Sequence, residues 1–116
     1  MNDTPNQEHI AFGNPAVIHL DKLNPSRQYR VYFSWWDHNA AGRVQSVRLH
    51  SKDKTRNEVV VGETRLPNFT RNEQPPETRS FDIVSSFVKD GGCICTIDLV
   101  RGPNAVICEI WLVEVK

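Results

Sequence analysis

The densest group of side chains able to bind a ligand lies between residues 35 and 43, at the end of a predicted strand. The residues that we expect to contact a ligand are Trp36, Asp37, His38, Asn39, Arg43 and, from a later loop, Asn68. A sugar offers an apolar C–H face to an aromatic ring, and its hydroxyls bond to carboxylate, amide and guanidinium groups. These residue types predict a carbohydrate site, with stacking on Trp36 and orientation fixed by the polar groups.

Each of these residues also has a structural interpretation. Trp36 can cover the edge of a second sheet instead of a sugar ring. Asp37 and Asn39 are residue types that end strands and satisfy loop amides. Arg43 can donate to sugar hydroxyls, or it can pair with Asp37 across a hairpin, a surface ion pair contributing only about 0–1 kcal/mol. Trp35 alternates with Trp36, and we place it in the core.

Four further residues belong to the strands that support this stretch. Trp111 lies on the face of the last strand opposite Ile110 and Leu112, and we expect it to pack in the core as well. Glu109 shares the Trp111 face, and a buried carboxylate would need a cationic partner or a metal, so we expect it at a solvent-facing strand end. Tyr32 and Arg30 are expected on an exposed sheet face.

The last strand, residues 105–115, organises the predicted fold. Nine of its eleven residues are apolar, and they occupy both faces, which indicates a central strand covered on both sides. Further strands are predicted at 16–20, 28–36, 43–50, 58–62, 78–84 and 93–100, with 85–89 as a helical turn or a corner. Seven short strands separated by turns predict an antiparallel β-sandwich.

Within this sandwich, the segments 28–36 and 43–50 are expected to pair as an antiparallel hairpin with a polar loop. Residues 64–76 contain three of the prolines and are predicted to form an exposed loop. Residues 1–8 are predicted to be a flexible tail. Residues 1–116 form a single domain in this interpretation, because a chain of 116 residues has room for one core.

Composition limits the classes of partner. Fourteen basic and fourteen acidic residues give no net charge, which removes the main electrostatic argument for nucleic acid or an acidic membrane surface. The sequence contains no run of about 18 apolar residues, so it predicts no membrane-spanning helix. Residues 1–9 carry no hydrophobic segment of a signal peptide. The expected partners are thus neither nucleic acid nor membrane.

The three cysteines are an odd number, so at least one thiol is free or pairs outside the chain. Cys93 and Cys95 lie two apart on one strand, near the upper limit of separation for a disulfide, and either could pair with Cys108 if the strands are neighbours. The simpler interpretation is three small buried apolar residues. A zinc site lacks the usual pair of Cys-x-x-Cys motifs.

Five segments carry a resemblance to a known class of module. TRSFDI at 78–83, DGG at 90–92 and GPNAVICEIWL at 102–112 resemble the end of a galactose-binding-like jelly roll, a carbohydrate-binding module appended to bacterial polysaccharide-degrading enzymes. QYRVYFSWWD at 28–37 and GRVQSV at 42–47 are similar to the early strands of such modules. The resemblance covers more than half of the chain.

The resemblance implies an all-β jelly-roll sandwich that binds carbohydrate beside a covalently or non-covalently attached catalytic domain. It implies an extracellular or periplasmic location, while the missing signal segment leaves the cytoplasm open. Some of these modules hold structural calcium near the last strand. Cys108 stands there in place of a polar residue, and calcium prefers oxygen ligands, so we assign no cofactor.

The chain carries no recognisable catalytic motif. We find no nucleophile elbow, phosphate-binding glycine loop, His-Glu-x-x-His motif or Cys/His pair with a third member, and we predict that the protein is not an enzyme. The alternative to a carbohydrate-binding module is a structural or protein-interaction accessory domain without sugar affinity. A hydrolase with an unrecognised site is the third interpretation.

Overall fold

A computed structural model describes residues 7–13, 15–37, 41–68 and 78–115, and they form an almost entirely β structure. The eight strands are β1 (Gln7–Gly13), β2 (Ala16–Leu20), β3 (Gln28–Ser34), β4 (Val44–Ser51), β5 (Asn57–Arg65), β6 (Arg79–Ile83), β7 (Cys93–Arg101) and β8 (Ala105–Val115). One turn of 3₁₀ helix, Ser85–Phe87, lies between β6 and β7, where the sequence predicts a helical turn or a corner.

The strands form two four-stranded sheets in the order β1-β8-β3-β6 and β2-β7-β4-β5. All neighbouring pairs are antiparallel. Apart from β4 and β5, each strand is followed in the chain by one in the other sheet, which is the arrangement of an eight-stranded jelly roll. The predicted fold class, an all-β antiparallel sandwich, is therefore confirmed, and β8 is a central strand between β1 and β3.

The predicted early hairpin is wrong. β3 pairs with β6 and β8, whereas β4 pairs with β5 and β7 in the opposite sheet. The connection at 35–43 therefore crosses from one layer of the sandwich to the other. Alternation of apolar residues identifies the buried face of each strand, but a hairpin and an arch between layers bury the same faces, so the pattern does not distinguish them.

An eighth strand begins where the sequence predicts a tail. β1 starts at Gln7, within the predicted tail 1–8, and pairs with β8 on the side away from β3. Its register against β8 shifts between Glu8 and Ala11, which is a β-bulge. A polar start and a bulge weaken the period-2 pattern by which strands are recognised in a sequence.

The core lies between the two sheets. Tyr29, Val31 and Phe33 of β3 are buried, and Trp35 continues this face beyond the strand with an exposure of only 2%. The Trp35 ring meets Phe33 edge-on, with ring centroids 5.0 Å apart. The prediction that Trp35 packs in the core is confirmed.

The three cysteines are free and buried. Cys93 and Cys95 belong to β7, whereas Cys108 belongs to β8 in the other sheet. None of the disulfides that the sequence left open forms, and the simpler interpretation as small buried apolar residues is confirmed. Burial raises the pKa of Cys93 and of Cys95 to about 12, so these thiols stay protonated at neutral pH.

The last strand is covered on both faces only over its first half. Residues 105–108 are all buried, buried and partly exposed residues alternate from Glu109 to Leu112, and residues 113–115 are all partly exposed. Ile110 and Leu112 point into the core. Trp111 lies on the opposite, outer face and is partly exposed, so the prediction that it packs in the core is wrong.

Candidate functional site

The carboxylate of Asp37 closes the arch that carries the chain from β3 to β4. It accepts hydrogen bonds from the backbone N–H groups of Ala41 (3.1 Å), Gly42 (2.8 Å) and Arg43 (3.1 Å). Gly42 has a φ of +74°, a conformation that glycine adopts without strain. Asp37 therefore supplies acceptors to a segment whose N–H groups pair with no strand.

Arg43 ties the same arch to the turn before β8. Its Nη1 donates to Asp37 Oδ1 at 2.6 Å, its Nε to the Asn104 carbonyl oxygen at 2.8 Å, and its Nη2 to Asn104 Oδ1 at 2.6 Å. The Asp37 and Arg43 side chains are 1% and 2% exposed. The pair is buried, and the predicted surface ion pair across a hairpin is corrected accordingly.

Gln45 extends this polar connection into the core. Its Nε2 donates to the Val106 carbonyl oxygen at 2.8 Å, and its Oε1 accepts from the Val106 N–H at 2.8 Å. Val106 lies in the part of β8 beyond Ser34, where β3 has ended. A side chain from the opposite sheet thus replaces the missing strand partner, so the buried backbone groups stay paired.

The titration of Asp37 fits this structural role. Burial alone would raise its pKa, but the N–H donors of Arg43, Ala41 and Gly42 and the Arg43 guanidinium outweigh that effect and hold the pKa below its ordinary value. Asp37 is therefore ionised at neutral pH. Both side chains are enclosed, so neither Asp37 nor Arg43 presents its charged group to a ligand in this structure.

Asn68 is bridged to Asp37, the residue after Trp36, at this end of the sandwich. The Asp37 N–H donates to the Pro67 carbonyl oxygen at 2.7 Å, and Asp37 and Asn68 form a parallel β-bridge. Asn68 is exposed and Trp36 is partly exposed. The other two predicted ligand contacts, His38 and Asn39, lie outside the described residues.

A second group of sugar-capable side chains lies on the outer face of the β3–β8 pair. Tyr32 is directly opposite Trp111 in the register, and Ser34 is opposite Glu109. The Tyr32 and Trp111 rings are stacked, with centroids 5.9 Å apart and an interplanar angle of 15°. We refer to Tyr32, Ser34, Glu109 and Trp111 as the outer strip. Tyr32 is partly exposed, which confirms the prediction that it lies on an exposed sheet face.

Hydrogen bonds hold the polar side chains on and beside the outer strip. The Ser34 hydroxyl donates to Glu109 Oε1 at 2.7 Å. Two residues before Tyr32, the Arg30 Nε donates to Asp82 Oδ1 of β6 at 2.7 Å. That hydrogen bond raises the pKa of Arg30. A carboxylate has about four acceptor positions, so Glu109 can accept further donors beyond Ser34.

Trp36 lies two residues beyond the end of β3, in the connection to β4. It follows the inward-facing Trp35, and its backbone interacts with the sulfur of Cys108, the residue before Glu109. On the outer strip, the stacked Tyr32 and Trp111 rings can cover C–H faces of sugar rings, and Glu109 can accept hydrogen bonds from hydroxyl groups, whereas Ser34 is buried.

The sequence did not predict the pairing of Tyr32 with Trp111, although it did indicate the face on which Trp111 lies. Assigning Ile110 and Leu112 to the core already places Trp111 on the outer face, because side chains alternate along a strand. The other half, that β8 pairs with β3 in the register that sets Trp111 against Tyr32, depends on the tertiary structure.

Comparison of the chain with protein-family models, with curated proteins and with solved structures gives no match. Across residues 7–13, 15–37, 41–68 and 78–115, no group of three or more His, Cys, Asp or Glu side chains is arranged to hold a metal ion. Within the same ranges, no helix is long and apolar enough to span a membrane.

Proposed function

We propose that the protein is a noncatalytic carbohydrate-binding module whose ligand lies on the outer strip. The observation that supports this most strongly is the stacked Tyr32–Trp111 pair on the outer face of two central strands. Large aromatic side chains are normally placed in cores or interfaces, where their area stabilises the protein. Here the paired rings remain partly exposed beside acceptors suited to hydroxyl groups.

The binding mechanism is stacking combined with hydrogen bonding. A sugar ring covers the aromatic surface with its C–H face, and Glu109 accepts from its hydroxyls while Ser34 holds that carboxylate in position. Each sugar hydroxyl exchanges a bond to water for a bond to protein, so the net gain is small and affinity is weak. The module would keep an attached polysaccharide-degrading catalytic domain close to its substrate, outside the cytoplasm.

Affinity gel electrophoresis on a panel of soluble neutral polysaccharides tests this proposal. The unmodified protein should be retarded by at least one polysaccharide, and Trp111→Ala should remove the retardation. Tyr32→Phe keeps the ring and should stay retarded, whereas Tyr32→Ala should not. Failure of every polysaccharide to retard the unmodified protein at millimolar sugar contradicts the proposal.

The second candidate function is an accessory domain that docks onto a neighbouring protein. It is favoured by an exposed valine on each edge strand of the other sheet, Val17 on β2 (48% exposed) and Val59 on β5 (63% exposed). An edge strand presents a row of unpaired backbone N–H and C=O groups, to which a strand of a partner can pair. Binding that is lost in Val59→Lys but retained in Trp111→Ala would support this function instead.

A further inference from the structure

We infer that Glu109 determines which glycans the outer strip accepts: its carboxylate admits uncharged carbohydrate and excludes glycans that carry acidic sugars. This inference rests on the proposed function and names the chemical class of its ligand. It depends on the position of Glu109 beside the aromatic pair and on the charges of the residues around it.

Glu109 lies close enough to the aromatic pair to contact the same sugar ring. It is two residues before Trp111 on β8 and on the same outer face, so the two positions are roughly 7 Å apart along the strand. Both residues are partly exposed. The hydroxyl groups of a sugar project from the edge of its ring. A ring whose C–H face covers Trp111 therefore brings hydroxyl groups within reach of the Glu109 carboxylate.

Within the described part of the chain, no basic residue pairs with Glu109. Its neighbours in the register are Ser34 on β3 and Glu8 on β1, so neither adjacent strand places a cation opposite it. The Ser34 hydroxyl, which is uncharged, donates to Glu109 Oε1 at 2.7 Å. The carboxylate is thus held in position without being neutralised.

The cation on the other side of the aromatic pair is already paired. Arg30 is two residues before Tyr32 on the same face, and its Nε donates to Asp82 Oδ1 at 2.7 Å. The two charges of this pair cancel, so Arg30 does not compensate Glu109. An acidic sugar on the rings therefore meets a carboxylate of like charge, whereas a sugar hydroxyl donates to the same carboxylate.

The size of the discrimination follows from Coulomb's law. Two like charges about 4 Å apart repel strongly enough to weaken binding about fivefold even at the dielectric constant of bulk water. The repulsion is larger at a partly buried surface, where the effective dielectric constant is lower. A preference of at least fivefold for uncharged over acidic glycans is therefore expected.

Titration calorimetry with matched soluble polysaccharides at low salt tests the inference. The neutral probes are mixed-linkage β-glucan, galactomannan, galactan and arabinoxylan. The charged counterparts of the first three are the same polymers after oxidation of their C6 hydroxymethyl groups to carboxylates, and glucuronoxylan is the counterpart of arabinoxylan. We expect the unmodified protein to bind at least one neutral polymer, and to bind it at least fivefold tighter than its charged counterpart.

Replacing Glu109 by glutamine isolates the effect of the charge. Glu109→Gln keeps the shape of the side chain and one acceptor oxygen, so its affinity for the neutral polymer should change by less than threefold. Its affinity for the charged counterpart should rise at least fivefold. Glu58→Gln is the matched control, because it removes the same charge from an exposed position on β5 in the other sheet. This control should leave both affinities unchanged.

Salt dependence measures the same repulsion in the unmodified protein. Raising the ionic strength from about 0.01 M to about 1 M shortens the screening length from about 30 Å to about 3 Å. The preference of the unmodified protein for the neutral polymer should therefore shrink as salt is added, whereas that of Glu109→Gln should not. If Glu109→Gln does not fold, the salt dependence of the unmodified protein still decides.

The outcomes separate this inference from the function on which it rests. Equal affinities for neutral and charged polymers, tighter binding of a charged polymer, or a preference that neither salt nor Glu109→Gln changes would overturn the inference while leaving a carbohydrate-binding module. If none of the neutral or charged polymers binds, the proposed function itself fails.

Discussion

Replacing Asp37 by asparagine tests whether the buried polar connection stabilises the arch between the two sheets. The change preserves the shape of the side chain, removes its charge and turns one acceptor oxygen into an N–H donor. In the native protein the Asp37 carboxylate accepts hydrogen bonds of 2.6–3.1 Å from three backbone N–H groups and the Arg43 guanidinium. In the variant the single amide oxygen faces all of these donors. Arg43 would remain buried without its counter-charge.

The expected loss follows from that geometry. Removing one partner of a buried ion pair costs about 3–5 kcal/mol, which is a large part of the 5–15 kcal/mol typical of a folded domain. Urea unfolding followed by tryptophan fluorescence measures the change in the free energy of unfolding. Asp21→Asn is the matched control, because Asp21 pairs with Lys52 at 2.8 Å on the surface. The urea midpoint of this control variant should not shift measurably. A loss below about 1 kcal/mol in Asp37→Asn would refute the role assigned to this pair.

Three further predictions concern the same connection and the core. Gln45→Met keeps the length of the side chain but leaves the N–H and the carbonyl oxygen of Val106 unpaired. The free energy of unfolding, measured with urea, should fall by about 1–3 kcal/mol for each unpaired group. The Val106 amide should also exchange faster with solvent. The pKa of Asp37 is lowered in the folded protein, so its contribution to stability is present above the unfolded pKa of about 3.9 and is lost as the pH falls below that value. The unfolding free energy of the native protein should therefore drop more steeply between pH 5 and pH 3 than that of Asp37→Asn. Parallel pH profiles of the two proteins would contradict this prediction. Burial that raises the pKa of Cys93 and of Cys95 to about 12 should keep both from reacting with a disulfide reagent until the protein unfolds, and rapid labelling of the native protein would show that the core opens.

The sequence was sufficient for the fold class because the strands carry their signal locally. Tyr29, Val31 and Phe33 alternate with polar neighbours, and β8 is rich in β-branched residues, so β2 to β8 could be recognised as strands, and the buried face of β3 could be assigned, from the local pattern alone. Pairing between strands could not be assigned in this way. β3 meets β8 about eighty positions later in the chain, and a pattern confined to each strand does not specify that partner.

Two of the residues predicted to contact a ligand, Asp37 and Arg43, form a buried connection instead, and the outer strip on which we propose that carbohydrate binds consists of other residues. Asp37 and Arg43 are six positions apart, a spacing compatible with either a surface pair or a buried one. Asn104, 61 positions after Arg43, accepts two hydrogen bonds from the Arg43 guanidinium, and this distant contact decides that the pair is buried. The outer strip likewise exists only because β8 lies beside β3 in one particular register.

The most direct measurement of the central claim is a map of backbone amide shifts as a neutral hexasaccharide is added to the isotopically labelled protein. Binding on the outer strip predicts that the largest changes occur at residues 32–36 and 107–112. Changes confined to the other sheet, around Val17 and Val59, would contradict the account, as would the absence of any change at millimolar ligand.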